Sequence, residues 1–511
     1  MIQRIARNPL LCFAWLGVVV FAVFLRFNDL SERPVHADEA TGARILSQQL
    51  EGHGYSYNPR HFHGPLLAQM AYPFARLRGE NDWQALNMLT LRSSTAIAGV
   101  LLVLTPLLWW RTLGHGSALA AAAFLATSPL LVFYSRVYIH ETWLALFGML
   151  AAAGVYSLVE KPSTRTALAT GVAIGLMFAT KITVAISILS WALAAAACLL
   201  LASPQKGIES IRRLLTTYWR TVLYLVIGAL GSAAILYSNS LQNPTGILAA
   251  LGSFFVYEPT SGHEKPFYDY FVQLVWPKAS AGHWWTEGFV LIAALVAAWS
   301  LYRKDARYRT AICFLGLSTA LHFLIYSAIA YKTLWLMLLP WAHLCLLAGC
   351  LVASAQLNKP LVRYALLILL LFGLAYQTKQ SLAVTGARLE NSSHHPYSYV
   401  PTSQDAKAIG KWLEALHAQQ AFESLAVVGR EYWPLPWYLK HLPLEIAYWP
   451  DATTDLSAYR ALLVMPAQLS QVREQLQASH VELPRSLRAN VPVFIFLHNE
   501  RWDLWLQSDD E

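Results

Sequence analysis

The residues best able to do chemistry in this chain begin with two adjacent carboxylates, Asp38 and Glu39, in the stretch PVHADEATGAR. Successive residues on a helix point about 100° apart, so the two side chains cannot address one substrate atom. One is expected to face a cavity and the other to anchor the loop, although first-turn carboxylates are also favoured simply by the helix dipole. A polar and aromatic segment follows, with His53, Tyr55, Tyr57, His61 and His63. Arg136, His140 and Glu141 cluster in YSRVYIHET, Lys181 follows LMFAT, and Lys332 lies in AYKTLW. Carboxylate and cations together supply what is needed to deprotonate a hydroxyl while an anionic leaving group departs.

The elements that must position these residues are membrane spans. The chain has 511 residues, of which 56% are hydrophobic and 13% charged, and its mean hydropathy is +0.39. A bilayer core of about 30 Å takes about 20 apolar residues per helix. Apolar runs at 9–25, 90–110, 117–134, 143–159, 166–180, 182–202, 219–237, 287–302, 311–330, 333–354 and 362–377 predict about eleven spans, and Gly64 to Phe74 reads as a further short or re-entrant helix. The first run, preceded by Arg4 and Arg7 and followed by no small-residue cleavage site, reads as a retained anchor. Cys12, Cys198, Cys313, Cys345 and Cys350 all fall in apolar runs without metal-ligand or CxxC spacing.

With the N-terminus inside, alternate loops gather Arg111, Lys161, Arg165, Lys206, Arg212, Arg213, Arg220, Arg303, Lys304, Arg307, Arg309, Lys359 and Arg363 on the cytoplasmic side. The net charge of +8 and the pI near 9.1 follow from that asymmetry, and no nucleic-acid partner is called for. Loops 28–64 and 238–286, the turn at 134–142 and everything after 380 then lie outside, and Asp38 with them. EATGARILSQQL reads as an amphipathic helix with Ala40, Ala43, Ile45, Leu46 and Leu50 for its apolar face. In the C-terminal segment, SLAVVG, LEIAYW, ALLVMP and VPVFIFLH read as strands, while DAKAIGKWLEALHAQ and QLSQVREQLQA carry helical periodicity. The expected organisation is a polytopic helical domain over 1–380 and a small extracytoplasmic α/β domain over 381–511.

An outward-facing carboxylate among cations suits transfer of a sugar from a lipid phosphate. Nucleotide sugars are cytoplasmic, so such a site calls for a polyprenyl-phosphate donor. The departing phosphate needs cations rather than a general acid. The acceptor hydroxyl needs a base, which one carboxylate can supply.

HADEA, HFHGPL, YSRVYIHET, FATKIT, GHEKPFYDY, YKTLW and EYWPLPWYL resemble, in order, the signatures of the membrane glycosyltransferases known as flippase-activity-associated proteins. These are relatives of the dolichyl-phosphate-mannose protein mannosyltransferases and lipid A aminoarabinose transferases, all of GT-C fold. The resemblance covers nearly the whole chain. It implies a hexosyltransferase of a prokaryotic cytoplasmic membrane that uses a polyprenyl-phosphate sugar, inverts the anomeric centre and takes Asp38 as its catalytic carboxylate, with Arg136 and Glu141 bordering the site. Glu39 is then left to hold the loop or orient a hydroxyl. Arg136, Lys181 and Lys332 are assigned to the donor phosphate, and His63, His140, Glu141, His263, Lys265 and Tyr268 to substrate. The acceptor is expected to be a glycan, lipid or protein.

Three further readings complete the sequence. In YEPTSGHEKPFYDYF, Phe267, Tyr268 and Tyr270 suit either sugar stacking or anchoring at the membrane surface. EYWPLPWYLK could meet glycan through Tyr432, Trp433 and Trp437, but a packing plug that docks the outer domain is preferred. His36, His61 and His63 are possible ligands for a divalent metal beside Asp38 or Glu39, at a spacing that matches no established motif. The NSS sequon at Asn391 has meaning only in a glycosylating host. The rival functions are a transporter or flippase for a lipid-linked glycan, whose polar residues would line a path across the bilayer, and a noncatalytic assembly partner. Catalysis instead requires Asp38 in an enclosed cavity near cations.

Overall fold

The computed structural model describes residues 9–59, 63–202, 208, 209, 212, 216–256, 264–386, 389, 394–419 and 422–508. In the membrane part the helices are α1 (Pro9–Phe27), α2 (Ala37–Leu50), α3 (Leu66–Leu77), α4 (Met88–Leu104), α5 (His115–Thr127), α6 (Pro129–Ser135), α7 (Glu141–Glu160), α8 (Thr164–Phe178), α9 (Val184–Ala202) and α10 (Trp219–Tyr237). They continue with α11 (Thr245–Val256), α12 (Gly288–Lys304), α13 (Ala306–Ala328), α14 (Leu338–Gly349) and α15 (Pro360–Val384). Each apolar run read from the sequence is helical.

Among the described residues seven helical segments are long and apolar enough to cross a bilayer, and the bent pair α5–α6 makes eight. The expected total of about eleven needs three shorter helices as well. These are α8 with 15 residues, α12 with 17, and α9, whose apolar part is Val184–Leu200. The α5–α6 bend of 60° has a local cause: Pro129 cannot continue a helix from within, and Ser128 caps the new one. The segment from Gly64 to Phe74 is indeed a short helix, α3, with Pro73 inside it. Small residues let α8 and α10 meet backbone to backbone. A Cβ on Gly171 would stand 2.0 Å from the Leu225 carbonyl oxygen.

Beyond α15, helix α16 (Gln404–Gln419) and a five-stranded sheet form the C-terminal unit. Its strands β3 (Ser424–Val428), β4 (Glu445–Trp449), β5 (Ala461–Val464), β6 (His480–Arg488) and β7 (Val491–His498) lie in the order β4-β3-β5-β7-β6. A separate hairpin pairs β1 (Lys278–Ser280) with β2 (His283–Trp285). Strand β3 runs parallel to both β4 and β5, and β7 is antiparallel to β5 and β6. ALLV of β5 is buried throughout, as a central strand covered on both faces should be. Strand β6 was not read from the sequence, because Pro484, Arg485 and Ser486 interrupt its alternation; it is an edge strand, where proline is tolerated.

Candidate active site

Helix α2 starts where its first residues satisfy their own N–H groups. His36 Nδ1 accepts from the Asp38 N–H at 3.2 Å, and the Glu39 carboxylate accepts from the His36 N–H at 2.9 Å. This reciprocal capping box fixes the phase of the helix and so separates the fates of the two carboxylates.

Glu39 turns inward and is fully buried. Arg92 Nε and Nη2 each donate to it at 2.8 Å, the Tyr138 N–H at 2.9 Å and Arg33 at 3.4 Å. Burial alone would push this carboxyl up, but Arg92 and then Arg33 outweigh it and hold the group below the usual carboxylate range. The same Arg92 guanidinium donates to the carbonyls of Leu30, Arg33 and Pro34 at 3.0, 3.1 and 3.3 Å. The loop before α2 and the buried cation are therefore one fixture.

Asp38 turns the other way. Its side chain is 58% exposed and forms part of the wall of a cavity of about 510 Å³. Thr41, Arg44 and Gln48 continue that wall along α2, and Tyr55 and Asn58 enter from the loop after it. His63, His140 and Glu141 close another side, with Trp335 beside them and Trp433 reaching in from the C-terminal unit. The His63 and His140 rings meet edge to face with centroids 4.6 Å apart. Lys181 Nζ donates to Glu141 at 2.7 Å. Burial, then His63 and Lys181, holds the His140 imidazole well below its ordinary value. Gly64 allows this corner to form, since its N–H donates to the Thr180 carbonyl at 3.0 Å and a Cβ there would stand 2.0 Å from the Ala179 oxygen.

The C-terminal segment clamps the residues just before α2. The Val35 N–H donates to the Tyr438 hydroxyl at 2.7 Å, Thr402 Oγ1 donates to the Val35 carbonyl at 2.7 Å, and His36 Nε2 donates to the Tyr399 carbonyl at 3.0 Å. Tyr399 and Trp335 border a second cavity of about 30 Å³ together with Arg33 and Tyr134. Burial, then the Asp38 charge, pushes the Tyr399 phenol up to about 12. On Tyr399 lies Lys265, its Nζ 5.9 Å from the ring centroid and 4.0 Å from Asp269. Lys332 is buried and donates to the carbonyls of Lys265, at 3.1 Å, and Ile329. Lys278 donates to Gln273 at 2.7 Å, and burial lowers its ammonium to about 8, with Asp269 opposing and Lys265 adding to the shift.

Of the residues selected from the sequence, Asp38, His63, His140 and Glu141 share the large cavity, and Lys181 joins it through Glu141. Lys181 and Lys332 are engaged by different partners, Glu141 for the first and the carbonyls of Lys265 and Ile329 for the second. Arg136 is buried, and its guanidinium donates to the carbonyls of Leu25, Asn28 and Asp29 at 3.2, 2.6 and 3.4 Å, fastening the C-terminal end of α1. Tyr268 is exposed on the surface. His61 and His263 lie outside the described residues, as does Asn391. His36 has both ring nitrogens engaged, and among the described residues no three His, Cys, Asp or Glu side chains form a group that could hold a metal. Sequence reasoning missed Arg92 and Arg33. A charge inside the apolar run LTLRSSTAIAGVLLVL was the available signal for Arg92.

Comparison with known proteins agrees with this architecture. Residues 62–230 match the family described as dolichyl-phosphate-mannose-protein mannosyltransferase. No curated protein sequence matches the chain. Among solved structures, ArnT from Cupriavidus metallidurans in the apo state superimposes with a TM-score of 0.65 at 16% identity, covering 94% of this chain and 97% of that one. The same protein bound to undecaprenyl phosphate gives 0.64 at 16% identity and the same coverage. The archaeal oligosaccharyltransferase AglB from Archaeoglobus fulgidus, in complex with an inhibitory peptide and a dolichol-phosphate, gives 0.55 at 13% identity over 90% of this chain and 70% of that one. A membrane-embedded helical bundle topped by a small sheet unit, this chain has the GT-C fold of membrane glycosyltransferases.

Proposed function

We propose that this protein transfers a sugar from a polyprenyl-phosphate donor to an acceptor hydroxyl at the extracytoplasmic face, with inversion. The observation that carries the reading is the division of labour within one dipeptide: Glu39 is locked to Arg92 while Asp38 stands open to a cavity large enough for a sugar. In the proposed reaction Asp38 takes the proton of the acceptor hydroxyl as its oxygen bonds to the anomeric carbon. The bond from that carbon to the phosphate oxygen breaks, and polyprenyl phosphate leaves. One base suffices, because the phosphate departs as an anion without a proton. Lys265, which lies over Tyr399, together with Lys278 and Lys332 and with Asp269 among them, offers an excess of positive charge for the growing phosphate charge. The lipid phosphates present in the ArnT and AglB structures, undecaprenyl phosphate and dolichol-phosphate, are the form in which the carrier would leave and support a polyprenyl carrier. Topology with the N-terminus inside and the C-terminal unit outside follows from the distribution of Lys and Arg.

The test is incubation of the purified protein with radiolabelled polyprenyl-phosphate sugars, followed by separation of organic and aqueous products. Label leaving the lipid only when Asp38 is intact supports the reading; label retained on every donor refutes it. Cysteine labelling that placed residues near Lys304 outside would overturn the topology and the site's location together.

A further inference from the structure

The segment EYWPLPWYLK divides between two tasks. Trp437 and Tyr438 dock the C-terminal unit. Trp437 meets Trp83 edge to face at 5.5 Å with Lys440 Nζ 3.8 Å over its ring, and the Tyr438 hydroxyl holds the Val35 N–H. Trp433 does something else, because it forms part of the wall of the Asp38 cavity.

Trp433 does not stand alone. Tyr432 stacks near it, with centroids 6.1 Å apart and planes 26° from parallel, and Tyr448 follows 5.0 Å from Tyr432. Tyr448 is on β4, the edge strand of the sheet, and is exposed. Three rings thus follow one another from the cavity wall to an exposed ring on β4, at a spacing on the scale of one monosaccharide. At the inner end, Asp38, Arg44, Gln48 and Asn58 offer charged and amide groups to hydroxyls, with Tyr55 and Trp335 as further aromatic faces. The faces of aromatic rings carry negative potential and attract polarised C–H groups, which sugar rings present on their flat sides. The acceptor must enter from the aqueous side, which the C-terminal unit bounds.

Resting on the reaction proposed above, we infer that the acceptor is an oligosaccharide. Its terminal unit sits on Trp433 with a hydroxyl at Asp38, and the units behind it lie along Tyr432 and Tyr448. The aromatic run makes this a site for several sugar units, so a longer chain gains contacts that a single unit cannot.

The experiment is saccharide binding by saturation-transfer NMR and calorimetry on the full-length protein in lipid nanodiscs, where no sugar-headed detergent competes. The probes are maltotetraose, cellotetraose and mannotetraose with the corresponding methyl glycosides. At least one tetrasaccharide is expected to bind more tightly than its methyl glycoside. Trp433→Ala should weaken both by roughly tenfold, while Trp433→Phe restores most of the binding. Tyr448→Ala, at an exposed position where folding is not at stake, should weaken the tetrasaccharide and leave the methyl glycoside alone. Absence of binding by every probe, or equal binding of tetrasaccharide by wild type and Tyr448→Ala, overturns the inference. Saccharide binding without consumption of any lipid-linked donor would sustain the oligosaccharide site and refute the proposed reaction, so the two failures are distinguishable.

Discussion

Replacing Asp38 by Asn keeps the size of the side chain and most of its hydrogen bonding while removing the basic oxygen. The cost to folding should be small. The carboxylate is 58% exposed and its nearest charged or chargeable neighbour, His36 Nδ1, is 3.6 Å away. An exposed pair of this kind contributes about 0–1 kcal/mol. The cost to catalysis should be large, because among the described residues no neighbouring carboxylate is equivalent: Glu141 is bound to Lys181 at 2.7 Å, and Glu39 is buried against Arg92 outside the cavity. General-base catalysis is worth roughly 10²- to 10⁴-fold, or about 2.7–5.4 kcal/mol of barrier. The assay pairs sugar release from the lipid with a thermal melt of the same nanodisc preparation. An unchanged melt with turnover down by at least that lower factor, at unchanged donor affinity, is the expected result. A folded Asp38→Asn protein with full activity would refute the assignment of the base and the reasoning from capping to catalysis.

Glu39→Gln should behave in the opposite way: removing one partner of a buried, bidentate ion pair costs about 3–5 kcal/mol, so the melt should fall sharply with a smaller effect on the turnover of the fraction that remains folded. The same carboxyl sets a pH signature. Its folded value lies below its unfolded one, so its stabilisation is full above the unfolded carboxylate range near pH 4.3 and declines as pH falls below it; melts between pH 3 and 7 should show a shallower acid limb in Glu39→Gln. Lys332→Met should weaken binding of undecaprenyl phosphate by about 1.5–3 kcal/mol, the value of a charge-assisted hydrogen bond, and unchanged affinity would remove Lys332 from the phosphate site. Gly64→Ala places a Cβ 2.0 Å from the Ala179 oxygen, and the melt should fall by about 1–3 kcal/mol as the loop shifts, with activity lost in parallel as His63 moves.

The membrane helices were legible because hydrophobic run length survives any packing arrangement, as α7 and α15 show. The parallel strands β3, β4 and β5 were legible for a related reason: short apolar runs bounded by turns carry their own signal. Partners distant in sequence were not. Arg92 lies 53 residues from Glu39, and no periodicity points from one to the other. The direction of Arg136 was equally hidden, since a guanidinium at a turn between helices can face a ligand or the carbonyls of a neighbouring helix end, and only the position of α1 decides. Trp433 in the cavity wall depends on how the C-terminal unit docks, which is set by Tyr438, Thr402 and Lys440 acting across hundreds of residues.

The dipeptide shows how local and distant information combine. That Asp38 and Glu39 must diverge follows from helix geometry alone, and the capping box needs only HADE to form. Which of the two faces the cavity is decided elsewhere, by a cation on α4 and a backbone N–H at Tyr138 that together make an interior place for one carboxylate. Once Glu39 occupies it, the helix cannot rotate, and the side chain one residue earlier is held about 100° away. The buried ion pair is thus better understood as fixing orientation than as a source of stability, in keeping with the small net value of such pairs against well-packed apolar substitutes. In the proposed reaction the base owes its position to a neighbour that does no chemistry.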